Sequence, residues 1–250
     1  MKFLPPEELE KVTKALWAPT PISTRFSITE DDNKFVLDNL QYRGELYRVE
    51  WGKELLDNGR SQPQGYWVTQ FPDRIPDAPL YHATIMALYR NKEGKFQQSV
   101  EGLKEKFLED FNEFGLMTTS TRLVYNASGE DKVMHGYGSR NKQIVSGKLV
   151  GIGGYRKSGY RIKNRGFKRP LKALLGATDL KEMALAYKWL SEMNLWLSTF
   201  RPSIKGCEYI EFALSLGFGD DDGFYFHTHD TGCILPVRGA SINIADGEGK

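Results

Sequence analysis

Two histidines one residue apart, His227 and His229, followed by Asp230, form the most suggestive chemical spacing in the chain. Alternate residues of a strand face one side, so this pair could hold a metal with Asp230 or Cys233 completing the site. A zinc hydrolase also needs a third ligand and a general base, and the remaining histidines are His82 and His135. The motif is short, and histidines that touch a ligand directly explain it more simply, so no metal or other cofactor is assigned. Asp220, Asp221, Asp222 and Gly223 resemble part of a calcium loop but lack the spaced acids and distal Glu of one. A solvated turn that favours a basic partner fits them better, because adjacent carboxylates repel and seek water. Neither Cys207 nor Cys233 has the sequence context of an activated thiol, and the serines carry no nucleophile-elbow motif. No catalytic residue can be named, and a non-enzymatic role is expected.

The glycine-rich stretch from Gly147 to Gly166 lacks the Walker pattern, and Arg156 falls where a dinucleotide motif needs its third glycine. Its basic residues, interleaved with Tyr155, Tyr160 and Phe167, could instead grip a nucleic-acid backbone. From Lys132 to Thr178 there are twelve basic residues and no acidic one. A nucleic-acid-binding role for block 132–172 is therefore one alternative, and a metal-dependent hydrolase using His227, His229 and Asp230 is another.

The reverse imbalance follows. Gly206 to Val237 is a run of 32 residues without lysine or arginine, in a chain that has 34 of them. It holds six carboxylates and six aromatic residues, with Phe224, Tyr225 and Phe226 consecutive. The molecule thus has a positive and a negative region, although its net charge of +2 exerts no general pull on nucleic acid or membrane. Rings mixed with Asp, Ser, Thr, Gly and His are the vocabulary of a recognition face. Moreover, Phe212 to Gly247 contains no Glu, Lys, Gln, Trp or Met. Turn-rich strands disfavour Lys and Glu, which is the simpler account of that gap.

Elements to position these residues can be read from spacing. Val100, Leu103, Phe107, Phe111 and Phe114 recur at three and four, so Ser99 to Phe114 reads as an amphipathic helix. Asp179 to Glu192 reads as a second, with Asp179 as N-cap, Glu182 three later, and a stripe of Leu180, Met183, Ala184, Tyr187 and Leu190. Pro5 to Trp17 suggests a short helix opened by prolines. FVLDNL, ELYRVEW, TRLVYN, KLVGIGGY, NLWLSTF, EYIEFALSL, FYFHTH, CILPV and SINI read as strands. YWVTQF reads as a strand-like island in loop-rich Asn58 to Pro79. Two helices among many short strands argue an α+β fold with abundant irregular loop. A 250-residue chain with 40% hydrophobic residues has ample material for a core. No run of about 18 apolar residues occurs, and the N-terminus has no signal-peptide pattern, so a soluble product is expected.

Taken together, the C-terminal features resemble a variable protein of a diversity-generating retroelement. There a reverse transcriptase rewrites adenines of a C-terminal repeat, and codons beginning with two adenines and ending in a pyrimidine become almost any residue except Glu, Lys, Gln, Trp or Met. The gap from Phe212 to Gly247 fits that outcome, and Cys233-Ile-Leu-Pro-Val-Arg-Gly239 is similar to the late arginine-bearing strand of such domains. Against the pattern, few surface tyrosines are available there, and Glu208 and Glu211 fall outside the rewritten part. The resemblance implies a C-type lectin fold of the formylglycine-generating-enzyme type, here a single domain over 1–250. About 1–60 would form an N-terminal elaboration and about 195–240 the variable region. It implies a non-catalytic receptor-binding or ligand-binding protein. Its contact surface would comprise Trp196, Ser198, Phe218, Asp220, Asp221, Asp222, Phe224, Tyr225, Phe226, His227, Thr228, His229 and Asp230. The expected partner is a protein ligand or cell-surface receptor, with assembly onto a virion or display at a surface by another route left open.

Overall fold

The computed structural model describes residues 26–114, 116–139, 142–146, 168–176, 179–191, 194–198, 206–219, 223–230 and 239–246. Within them the chain is α+β, with helices between two sheets. Strands β1 (Ser27–Glu30), β2 (Lys34–Tyr42) and β3 (Glu45–Leu55) form a meander whose far edge pairs with β10 (Ala240–Asp246). N-terminal and C-terminal segments therefore share one antiparallel sheet. The second sheet has the order β6-β5-β4-β8-β9-β7. Its members are β4 (Leu116–Asn126), β5 (Lys132–His135), β6 (Gln143–Ser146), β7 (Asn194–Ser198), β8 (Tyr209–Gly219) and β9 (Gly223–Asp230). Its pairs are antiparallel except β7 with β9, which run parallel.

The helices are α1 (Gln64–Gln70), α2 (Ala78–Arg90), α3 (Gln97–Phe114), α4 (Lys168–Leu175) and α5 (Leu180–Ser191). Val100, Leu103, Phe107 and Phe111 of α3 are buried, as their spacing demands. At α5, Asp179 accepts from the amides of Lys181 and Glu182, both at 3.0 Å, so it acts as the expected N-cap. Helices α2 and α3 touch strands of both sheets, and one core joins Trp51 and Val49 of β3 to Tyr81, Phe107, Leu214 and Phe226.

Several expectations need correction. YWVTQF is not a strand: most of it is helix α1, which buries Val68 and carries Trp67 into the interior beside Leu56 and Ile75. Its β-branched and aromatic residues favour strands locally, and burial of Trp67 outweighs that preference. Two main helices were expected, yet α2 is as central as either of them. Nine of its thirteen residues are buried, so it has no polar stripe and no amphipathic period to read. Nor are the strands uniformly short, since β3, β4 and β8 each run eleven residues. Pro5–Trp17, KLVGIGGY and CILPV lie outside the described residues.

The β2–β3 hairpin turns on Arg43 and Gly44, with φ of 52° and 86°. Two successive positive φ values are those of a two-residue type I′ turn, which normally takes Asn-Gly. Arg43 is held there by the Asp77 carboxylate, which also accepts from the Tyr42 hydroxyl and caps α2 through the Leu80 amide at 2.8 Å. Burial and then the adjacent Asp77 charge hold the Tyr42 hydroxyl far above its ordinary titration range.

Gly138 shows where the fold depends on glycine. Its φ is +83°, and a Cβ there would stand 2.7 Å from the Val68 carbonyl oxygen in α1. Gly138→Ala is expected to lower stability by about 1–3 kcal/mol, measured as a shift in the urea midpoint.

Candidate functional site

The sequence-predicted site falls on β7, β8, β9 and the connection between β8 and β9. Strand β9 is internal: β8 pairs along one edge and β7 along the other. The register sets Phe218 opposite Phe224, Gly217 opposite Tyr225, Ser215 opposite His227 and Ala213 opposite His229. On the other edge Trp196 pairs with Tyr225 and Ser198 with His227. The backbone therefore gathers Trp196, Ser198, Phe218, Phe224, Tyr225, Phe226, His227, Thr228, His229 and Asp230 onto three adjacent strands. Asp220, Asp221 and Asp222 lie outside the described residues.

Phe226 and Thr228 of this set turn toward the interior. Phe226 was expected at the contact surface but is 1% exposed. Its ring meets Tyr187 of α5 at 5.7 Å between centroids and 65° between planes. Opposite it on β8 stands Leu216, also buried, so this position belongs to the face that packs on the helices. Period-two alternation is the reason: three consecutive rings cannot all face outward from one strand. Thr228, two residues on, is half-buried opposite Leu214.

Beneath Phe226 the core is unusually polar. Tyr187 stacks on His82 of α2 with centroids 5.9 Å apart and planes 10° apart, and its hydroxyl lies 3.2 Å from His82 Nδ1. Burial is the main cause that pulls the His82 imidazole down to about pH 3, with the Arg90 charge adding to it. His82 is thus neutral in the folded chain and shares a hydrogen bond with the Tyr187 hydroxyl through Nδ1. Between pH 6.5 and about 3 the unfolded chain binds this proton and the folded chain does not. Stability is therefore expected to fall as pH drops through that window, by roughly several kcal/mol at its lower end. Urea titrations across pH should show this acid limb, and His82→Gln should make it shallower by close to one proton.

A second polar centre, absent from the sequence reading, sits at β4. Between the pairs Thr118–Ser215 and Arg122–Ala213, β4 advances four residues while β8 advances two. The surplus residues bulge, and each finds internal partners. Thr119 Oγ1 donates to Leu214 O at 2.7 Å, and Ser120 Oγ donates to Ile75 O at 3.0 Å. The Gln64 amide donates to the carbonyls of Thr119 and Thr121, and Gln64 Oε1 accepts from Arg122 Nε at 2.9 Å. Arg122 also pairs with Glu211 at 3.0 Å and stacks 3.5 Å over the Tyr137 ring. The consecutive Thr118, Thr119, Ser120, Thr121 and Arg122 were the only sequence signal of this centre.

Thr121 and His135 resemble a hydroxyl–imidazole catalytic pair, with Oγ1 and Nδ1 3.1 Å apart. Every partner is already committed, however. The Ala78 amide donates to Thr121 Oγ1 at 3.0 Å, and His135 Nε2 lies 2.7 Å from the Ala173 carbonyl. That carbonyl can only accept, so Nε2 carries the proton and Nδ1 accepts from Thr121. Burial depresses the His135 pKa, with the neighbouring Asp77 charge opposing it. Thr121 is wholly buried and His135 nearly so, which gives the pair the form of an internal strut joining β4, β5, α2 and α4.

Among the described residues no cluster of three or more His, Cys, Asp or Glu could hold a metal ion. Cys207 is exposed, and Cys233 lies outside those residues. Most of the basic block lies outside them too, although Lys132 is exposed and the Lys142 Nζ stands 5.8 Å from the Tyr137 ring. No described helix is long and apolar enough to cross a membrane. Compared with protein-family models, curated proteins and solved structures, the chain matches none.

Proposed function

We propose that this chain is a non-catalytic ligand-binding protein whose contact surface is built on β7, β9 and the β8–β9 connection. The observation that carries the reading is the double pairing of β9. A strand hydrogen-bonded on both edges, and pinned from below by Phe226, has its backbone fixed whatever its other side chains are. A site of this kind tolerates replacement of its contacts without unfolding. The segment that would vary coincides with the gap in Glu, Lys, Gln, Trp and Met from Phe212 to Gly247, which covers most of β8 and all of β9 and β10. Alternation narrows the expected contact set to the side of β9 away from Phe226: Tyr225, His227 and His229, with Trp196 and Ser198 beside them on β7 and Asp220, Asp221 and Asp222 of the connection, while Phe218, Phe224, Thr228 and Asp230 fall on the side of Phe226. Rings supply desolvated area there, and the carboxylates select a basic patch on a protein partner.

The finer part of the reading makes the chain a variable protein of a diversity-generating retroelement with a C-type-lectin-like domain. The composition of Phe212 to Gly247 supports it, as does the order of helix α5 followed by the Trp196-bearing strand β7. The test is the DNA around the gene. A reverse transcriptase gene and a near-copy of the segment encoding 212–247, differing at adenines, are expected. A genome with neither overturns the variable-protein reading.

A further inference from the structure

We draw no further inference here: the strongest candidate, the strip of half-buried rings Tyr89, Phe96 and Trp189 with Lys92, Lys95 and Lys104 over them where α2, α3 and α5 meet, is a surface patch for which nothing in the structure shows what covers it.

Discussion

Phe226→Ala is expected to destabilise the protein by about 3–5 kcal/mol, the range for removing a fully buried ring from a well-packed core. The ring is 1% exposed and lies against Tyr187, itself wholly buried, with Leu216 alongside on β8. Little around it can collapse into the space, because Tyr187 is held in place by its stack and hydrogen bond with His82. Chemical denaturation should show the loss as a lower midpoint with an unchanged slope. Phe226→Leu keeps an apolar side chain in the site and should lose much less, about 1–2 kcal/mol. Equal, small losses for both variants would mean that Phe226 is not part of the core.

Asp77→Ala is expected to cost about 2–4 kcal/mol, because it removes a helix cap and the acceptor of both the buried Tyr42 hydroxyl and the part-buried Arg43 guanidinium. One carboxylate holds the strained Arg43 turn, receives the buried Tyr42 hydroxyl and caps the central helix α2. Asp77 is 4% exposed, so water cannot readily replace it. Asp77→Asn retains the size and the capping oxygen but loses the charge, and should recover part of the loss. A denaturation series in which Ala and Asn are equally mild would show that the turn and the cap are held by other contacts.

What could be read from sequence divides along physical lines. Helices α3 and α5 are amphipathic, one face on the core and one in water, and both were legible from residue spacing. Strands β2, β3, β8 and β9 were legible from β-branched and aromatic runs. Helix α2 was not, because a helix buried nearly all round carries no periodic signal. Helix α4 buries Leu171, Leu174 and Leu175, spaced as a helix requires, but its eight residues are too few for that period to stand out from the basic, glycine-rich stretch before it. The bulged polar centre of β4 depends on Gln64, His135 and Glu211, which are distant in sequence, so only the threonines hinted at it. At the candidate site, composition picked out residues that fall on adjacent strands but could not tell inward from outward positions. The Leu216–Phe226 pairing resolved that ambiguity for the strand residues of the set.

The proposal stands on the idea that β9 presents replaceable residues from a fixed backbone. A saturation scan of 212–230, with folded yield and thermal stability read for each substitution, tests this most directly. Leu214, Leu216 and Phe226 should reject most replacements, whereas Tyr225, His227 and His229 should accept most of them with melting temperatures near that of the parent chain. Equal intolerance at 225, 227 and 229 would mean that both sides of the strand serve the core, and would contradict a ligand-facing β9.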